Sequence, residues 1–211
     1  MQKGHKIDII GAFSLTSLDK AGTSSWKGIR IFNITPIIMM STTLSLIFNI
    51  VSSIFTSILM FIILRPKVVI ISVPDNGFGG SMGSYIVAKL FRTKIITDYR
   101  DEWEDYTINI ANSQIYKKAC KSLKDTMTKY YLNSDLVITV TERLAHSLSL
   151  RGIRKNVTIV TNGADCSIFK PYDKCNSRSK IGFNENDFIL VYSGGVGWYY
   201  RLDVVVAALK N

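Results

Sequence analysis

Short runs of apolar, often β-branched residues alternate along this chain with longer segments whose apolar residues recur at steps of three and four. The short runs are typical of strands and the longer segments of amphipathic helices. The pattern predicts strands at 7–10, 68–73, 94–97, 136–140 and 157–160, and helices at 37–64, 81–91, 114–132 and 142–150. Because strands that are apolar on both faces alternate with helices, the predicted fold class is α/β, with a Rossmann-like parallel sheet and helices on both faces.

The pattern changes near residue 171. A polar stretch rich in Lys, Asn, Ser, Arg and Asp covers 171–186 and is typical of a linker. A fresh apolar run at 188–193, a glycine turn and a helical pattern at 202–209 then predict the opening of a second Rossmann-like unit. The predicted organisation is a first domain at 1–170, a linker at 171–186 and the truncated start of a second domain at 187–211.

No charged side chain occurs between Ile31 and Leu64, a length that could cross a bilayer. The portion 37–64, however, contains nine Ser, Thr or Asn residues, whereas a bilayer helix is predominantly apolar. Three interpretations stay open: a helix partly buried in the domain and partly lying in a membrane interface, which we favour; a single transmembrane span; and a helix buried in a soluble core. The first residues lack the apolar region of a secretory signal, so the expected location is cytoplasmic, at the inner face of the cell membrane.

Composition and charge narrow the set of partners. The chain has 211 residues, 47% of them hydrophobic, which is enough for a sizeable core. Its 26 Lys and Arg residues outnumber 16 Asp and Glu residues, and the net charge of +10 favours phosphate-bearing partners such as anionic lipids or phosphorylated substrates. The lysines of 114–132 fit a solvated helix face, with contact to an anionic membrane as the alternative. No zinc-finger spacing, basic zipper or RNA-recognition signature accompanies the charge, so nucleic acid is not an expected partner.

The cysteines and histidines also exclude a class of site. Cys120, Cys166 and Cys175 are far apart and odd in number, and only His5 and His146 accompany them. Such a set builds neither a disulfide framework nor a zinc site. We therefore expect a reduced compartment and no bound metal.

The loops that follow the predicted strands are the candidate ligand sites, because ligands of open parallel sheets bind beyond the carboxyl ends of the strands. After strand 68–73 the chain turns through Pro74-Asp75-Asn76-Gly77 and becomes rich in glycine, and Gly79 and Gly80 would let a sugar or phosphate approach the next helix. Position 82 is Met, so the spacing from Gly77 does not match G-x-G-x-x-G. A dehydrogenase-type dinucleotide domain is disfavoured for that reason.

The loop after strand 94–97 concentrates charged and aromatic side chains, in the order Asp98-Tyr99-Arg100-Asp101-Glu102-Trp103-Glu104-Asp105. Carboxylates at a strand end can act as general bases, an arginine can hold a phosphate, and an aromatic ring can stack on a sugar. A solvated acidic loop with an Arg–Asp pair is the alternative, and the strand-end position favours function. Further along, Asn162-Gly163 predicts a left-handed turn.

Several of these segments occur in an order and spacing that point to one family. The chain reads Ser134-Asp135-Leu136-Val137-Ile138-Thr139-Val140-Thr141, then Val160-Thr161-Asn162-Gly163-Ala164-Asp165, then Phe169-Lys170-Pro171. This order resembles the pattern aD-x-v-i-x-v-S … v-i-x-N-G-v-D-x-x-x-F-x-P of family 4 of the GT-B glycosyltransferases. The loop 98–103 is similar to the D-x-R-D-x-W segment of a subgroup that makes surface polysaccharides and lipid-linked glycans. Tyr192-Ser193-Gly194-Gly195 is similar to the first strand and turn of the donor domain.

The resemblance implies two facing Rossmann-like domains, of which 1–170 would bind the acceptor and the second a nucleotide-activated sugar. It also implies transfer that retains the anomeric configuration, a lipid-linked or polysaccharide acceptor, no metal, and no cofactor besides the nucleotide-sugar substrate. Strand-end position and resemblance together predict the site residues. They are Asp101 and Arg100 as catalytic; Asp98, Trp103, Gly79, Gly80, Asn162, Gly163 and Asp165 as substrate-binding; and Gly194, Gly195, Gly197 and Arg201 as donor-binding.

Two departures from the family pattern qualify these expectations. Relatives usually carry a strand, a glycine-rich loop and a helix ahead of the segment matching Gly4-His5-Lys6-Ile7, and their donor-domain acids would lie beyond Asn211. The chain by itself is therefore expected not to transfer sugar. The alternative function is a nonenzymatic, membrane-associated module that binds a nucleotide-sugar or a phosphate.

Overall fold

The structure is a computed structural model that describes residues 4–73, 79–197 and 200–209. It divides into two compact units, Met1–Asn162 and Gly163–Asn211. The turn predicted at Pro74-Asp75-Asn76-Gly77 lies outside the described residues.

A small three-stranded sheet opens the first unit. It contains β1 (Asp8–Ser14), β2 (Gly22–Trp26) and β3 (Ile29–Ile37), in the order β1-β3-β2, and a short 3-10 helix covers Leu18–Lys20. The strand predicted at 7–10 is confirmed, while β2 and β3 were missed.

Two features hold this small sheet together. Lys27 and Gly28, which join β2 to β3, both have positive φ, as a two-residue hairpin turn of the primed type requires. Arg30 of β3 makes two hydrogen bonds to the carboxylate of Asp8 on the parallel neighbour β1, at 2.6 and 2.9 Å. The turn and the ion pair therefore bind β3 to both of its neighbours.

Helix α1 (Thr43–Leu64) follows the small sheet. Its N-terminus is closed by reciprocal hydrogen bonds between Thr42 and Ser45, and it ends at Arg65, which takes the left-handed conformation just before Pro66. The sequence predicted a helix from residue 37. The helix begins six residues later because the preceding residues complete β3 and then form the cap.

A four-stranded parallel sheet is the centre of the first unit, in the order β4-β5-β6-β7. Helices flank it, so the predicted α/β class with a Rossmann-like parallel sheet is confirmed. The strands are β4 (Val68–Val73), β5 (Lys94–Tyr99), β6 (Leu136–Thr139) and β7 (Val157–Ile159), and the helices are α2 (Met82–Leu90), α3 (Trp103–Ile110), α4 (Gln114–Leu132) and α5 (Glu142–Leu150).

One face of the parallel sheet forms the core. Alternate residues of β4, β5 and β6, among them Val73, Tyr99 and Val137, are buried there with apolar residues of α2 and α4. The opposite face is covered less completely among the described residues, since Val68 and Ile70 are 46% and 64% exposed. Strands that follow one another in space with right-handed crossovers place their connecting helices on the same face, which accounts for this difference.

The second unit contains helices α6 (Lys174–Lys180) and α7 (Leu202–Ala208). The predicted helix at 202–209 is confirmed, and α6 lies within the segment predicted as a linker. The strand predicted at 188–193 is wrong, because none of the unit's described residues forms a strand. An apolar run becomes a strand only when another strand accepts its hydrogen bonds, and none is described in this unit.

Candidate functional site

The predicted site loops begin at the carboxyl edge of the parallel sheet. Arg100 follows β5, and its backbone N–H donates to the carbonyl of Val73, the last residue of β4, at 3.0 Å. Next to them, the N–H of Val160 donates to the carbonyl of Thr139 at the end of β6, at 2.7 Å. The carboxyl ends of the four strands thus lie at one edge, as expected for parallel strands.

Asp98 is a buried carboxylate that anchors Arg100. One of its oxygens, Oδ2, accepts hydrogen bonds from the hydroxyl of Ser72, at 2.7 Å, and from Nε of Arg100, at 2.6 Å. The Asp98 side chain is 8% exposed and that of Arg100 is 57% exposed. Nη1 of Arg100 lies 3.5 Å from the side-chain oxygen of Asn162. The ion pair therefore fixes the inner nitrogen of the guanidinium while its outer part faces solvent.

Asp101 and Trp103 lie on the exposed side of the same loop. Oδ1 of Asp101 accepts a hydrogen bond from the N–H of Glu102, at 2.8 Å, and the residue is otherwise exposed. Trp103 begins α3, is 44% exposed, and packs edge-on against Tyr106 with 4.9 Å between ring centroids. A carboxylate, a guanidinium and an aromatic ring are thus presented to solvent by three of four consecutive residues.

Beneath this loop, Glu104 forms a buried network that the sequence did not reveal. Glu104 is 2% exposed, and its two oxygens accept hydrogen bonds from the hydroxyls of Tyr99, at 3.1 Å, and Tyr131, at 3.2 Å. Nη1 of Arg151 lies 3.6 Å from the Glu104 carboxylate and donates to the Tyr99 hydroxyl at 3.0 Å. The network joins the loop to α4 and to the end of α5.

The network has strong electrostatic consequences. Burial raises the pKa of the Glu104 carboxyl, although Arg151 and the two tyrosine hydroxyls oppose this shift. Burial, reinforced by the charge of Glu104, also raises the pKa of Tyr99 and of Tyr131 well above the usual range of a phenol. Both tyrosines therefore stay neutral donors. Glu104 is held in a rigid hydrogen-bond network that supports the exposed loop.

A second contact fixes the loop from the side of α5. The hydroxyl of Ser147 donates a hydrogen bond to the carboxylate of Glu102. Glu102 lies between the exposed Asp101 and Trp103, so this contact restrains the segment that carries both. Glu102 in the loop and Glu104 in the first turn of α3 thus serve to position their exposed neighbours.

The glycines before α2 lie against the core. Gly79 has a φ of +102°, is buried, and its α-carbon faces side chains of Ile50, Leu123 and Leu46, which would lie 3.0 to 3.3 Å from a Cβ at this position. Gly80 is half-buried. The structure gives Gly79 a conformational and packing role at the start of α2.

The segment Asn162-Gly163 does not form the predicted left-handed turn. Neither residue has a positive φ, although both belong to the described part of the chain. Asn162 ends the first unit, beside Arg100, and Gly163 begins the second unit with open space around its α-carbon. The dipeptide alone was a misleading signal, because Asn and Gly tolerate a positive φ without requiring it.

In the second unit, Asp165 makes local hydrogen bonds. Its Oδ1 accepts from the N–H of Ser167, at 2.9 Å, and from the Ser167 hydroxyl, at 2.6 Å, and these bonds lower the pKa of Asp165. Asp165 is exposed. Its position is that of a turn-forming carboxylate.

The residues predicted to bind the donor surround the start of α7. Arg201 adopts the left-handed conformation and pairs with Asp203 at 3.0 Å, both side chains being 66% exposed. The carbonyl of Gly195 accepts a hydrogen bond from the hydroxyl of Tyr192, at 2.7 Å, beside Gly194, and the carbonyl of Gly197 accepts from the N–H of Tyr200. These contacts are local to the segment.

Within 4–73, 79–197 and 200–209, no three His, Cys, Asp or Glu side chains are grouped closely enough to hold a metal ion.

No family model matches the chain, and no curated protein matches it. Among solved structures, one that is similar is the crystal structure of UDP-N-acetylglucosamine 2-epimerase, with 8% identity and a TM-score of 0.39. The match covers 74% of this chain and 48% of that chain, so this chain spans about half of the epimerase's length.

Proposed function

We propose that this chain is the acceptor-side part of a glycosyltransferase that moves a sugar from a nucleotide-sugar donor to a lipid-linked or polysaccharide acceptor. The observation that carries the proposal is the loop after β5, which presents Arg100, Asp101 and Trp103 to solvent at the carboxyl edge of a parallel sheet. Buried contacts through Asp98 and Glu104 hold that loop in place. The resemblance of 98–103 to the D-x-R-D-x-W segment supports the same assignment.

Each exposed side chain has a role in this reaction. Asp101 accepts the proton of the acceptor hydroxyl as that oxygen bonds to the anomeric carbon from the same face that the nucleotide leaves, and the bond from the sugar to the nucleotide phosphate breaks. Arg100 holds a phosphate of the acceptor or orients Asp101, and Trp103 stacks on a sugar ring. In the first unit Gly80 and Asn162 extend the acceptor surface. In the second unit the resemblance assigns Gly163 and Asp165 to substrate binding, and Gly194, Gly195, Gly197 and Arg201 to the donor.

The proposed enzyme needs no metal and acts at a membrane. Transfer retains the anomeric configuration and requires neither a metal nor a further cofactor. The enzyme works in the cytoplasm at the inner face of the cell membrane, where lipid-linked acceptors are available. The described chain contains one helix, α1, that is long and apolar enough to cross a membrane by length and composition.

The experiment is a transfer assay on the product of the complete open reading frame, with radiolabelled nucleotide-sugars, polyprenyl-phosphate acceptors and a chelator. Replacement Asp101→Asn keeps the shape of the side chain and should lower turnover by ~100-fold or more, since general bases contribute ~10²–10⁴-fold. Donor affinity should hardly change. The matched control is Asp125→Asn on the exposed face of α4, which should keep full turnover.

The second candidate is a nonenzymatic module that binds a nucleotide-sugar or a phosphate. It is favoured by the net charge of +10 and by the exposed guanidinium of Arg100, which suit a phosphate whether or not a sugar is transferred. Saturable binding of a nucleotide-sugar with no transfer to any acceptor in the assay, unchanged by Asp101→Asn, would select this candidate.

A further inference from the structure

Helix α1 has a buried polar face, the polar seam, and an exposed apolar face, the outer stripe. The seam consists of Ser45, Asn49, Ser53 and Ser57, which recur every four residues and are all buried. The opposite side of the helix is apolar and exposed to water. This outer stripe is formed by Leu44, Phe48, Val51, Phe55, Leu59 and Ile62. A helix of a water-soluble domain has the reverse arrangement.

The polar seam fixes the orientation of α1. The side chain of Asn49 accepts from the N–H of Ile38, at 2.8 Å, and donates to its carbonyl, at 3.1 Å. Further along, the Ser53 hydroxyl accepts from the N–H of Gly83, at 3.0 Å, and Ser57 lies 3.1 Å from the Ser84 hydroxyl. Turning the outer stripe inward would break these bonds and bury unpaired polar groups, so the stripe remains outward.

The size of the stripe requires an explanation. It runs from Leu44 to Ile62, a length of ~27 Å at the rise of an α-helix. Leu44 and Phe55 are 80% and 71% exposed, and Met39 and Met40 extend the apolar surface ahead of the helix with 61% and 64% exposure. A continuous apolar surface of this length marks an interaction site.

The chemistry of the stripe favours lipid over a second copy of the chain. Its spacing would suit a coiled-coil seam, but coiled coils in water place charged side chains beside the seam to set pairing. No charged residue occurs from Ile31 to Leu64. The residues beside the stripe are instead Ser, Thr and apolar residues, a composition suited to the acyl boundary of a bilayer.

Charge around the helix points to anionic lipid. The segment 20–97 contains eight Lys or Arg residues and one acid, Asp75. Four of the basic residues are exposed where α1 and α2 end, and the two helix ends meet there through the rings of Phe61 and Phe91, 5.4 Å apart. They are Arg65, Lys67, Lys89 and Arg92.

We propose that α1 lies in the plane of an anionic membrane, with the outer stripe in the acyl boundary and these four basic residues on lipid phosphates. A transmembrane orientation conflicts with the contacts of the seam. Side chains along α1 are hydrogen-bonded to residues just after β3 and to α2. If α1 crossed the bilayer, these neighbours, including Lys89 of α2, would enter the hydrocarbon with it. This inference deepens the membrane location given above, and its test uses no sugar, so each can fail independently.

The test is flotation of the purified chain with vesicles. One preparation is phosphatidylcholine and the other is equal parts phosphatidylcholine and phosphatidylglycerol. The chain should float with the anionic vesicles and be released by high salt. Phe55→Glu should weaken binding about tenfold or more. The variant loses an aromatic side chain that the membrane would bury, and it adds a negative charge. The control Leu150→Glu replaces an equally exposed residue of α5, which is 74% exposed, and should bind normally.

Three further readouts decide the outcome. Circular dichroism and melting of Phe55→Glu should match those of the unmodified chain, since the side chain is exposed. Lys89→Gln with Arg92→Gln should reduce the preference for anionic vesicles and leave weak binding to neutral ones. The proposal is overturned if the chain does not float, if carbonate fails to release it, or if it forms a dimer that Phe55→Glu dissociates and that ignores vesicles.

Discussion

Arg151, the residue after α5, lies 3.6 Å from the buried carboxylate of Glu104 in α3. The Arg151 side chain also donates to the hydroxyls of Tyr99, at 3.0 Å, and Thr128, at 2.6 Å, while its Nε is buried without a partner. The pair therefore joins α5, α4 and the loop after β5. An ion pair in this position depends on both partners, because either one alone would be an uncompensated buried charge.

The first prediction is that Glu104→Ala strongly destabilises the first unit. Removing the carboxylate leaves Arg151 unpaired and two tyrosine hydroxyls without their acceptor, and breaking a buried pair costs about 3–5 kcal/mol. Glu104→Gln should cost less, since the amide oxygen still accepts one hydrogen bond. Urea unfolding measures both, and the exposed Asp125→Asn is the control with a change below about 0.5 kcal/mol. Equal stability of Glu104→Ala and the unmodified chain would contradict the network.

The second prediction concerns the pH dependence of stability. Burial raises the pKa of Glu104 in the folded chain above its ordinary value of 4.5. The folded state thus binds this proton more tightly than the unfolded state. Its contribution to the free energy of unfolding is fully present below pH 4.5 and is lost as the pH rises through the folded pKa.

Comparison with Glu104→Gln isolates this contribution. The difference in unfolding free energy between the two proteins should change in favour of the Gln variant as the pH rises above 4.5, and should level off once Glu104 is ionised. The other titrating groups, including Asp8 with its pKa lowered by Arg30, cancel in the difference. A difference that is flat with pH would show that Glu104 titrates normally.

Strand runs were the part of the fold that the sequence predicted well. Val68–Val73 was predicted with its observed bounds, because a nearly continuous apolar, β-branched run is typical of a strand in a parallel sheet. The strands β2 and β3 were missed because their turn is Lys27-Gly28, a weaker hairpin signal than Asn-Gly. The run 188–193 failed for a different reason, since strand formation depends on a neighbour that local sequence does not describe.

Of the candidate site, the sequence predicted the exposed residues and missed the buried network beneath them. The position of Arg100 and Asp101 at a strand end follows from strand order, which the sequence pattern gives. The burial of Glu104 does not, because in sequence it is one of five acids that together resemble a solvated loop. Its partners Tyr131 and Arg151 come from other helices, and no periodicity connects them with the loop.

The third prediction tests the close approach of α1 and α2. A Cβ at Gly83 would lie 2.3 Å from the backbone of Ser53 and Ile54, so Gly83→Ala must push the helices apart. Overpacking of this kind costs about 1–3 kcal/mol. Gly163→Ala is the matched control, since its α-carbon faces open space and should lose no stability. Thermal melting measures both, and an unchanged melting temperature for Gly83→Ala would contradict the packing.

The fourth prediction separates the two roles proposed for Arg100, and it rests on the proposed function. Arg100→Lys keeps the charge, but an ammonium cannot bind Asp98 through one nitrogen and present two others to a phosphate. If Arg100 holds an acceptor phosphate, the KM for a polyprenyl-phosphate acceptor should rise about tenfold, as expected for a lost hydrogen bond to a charged group, while kcat changes little. The control is Arg143→Lys on the exposed side of α5. A fall in kcat at constant KM would instead assign Arg100 to the orientation of Asp101, and unchanged kinetics would remove it from the site.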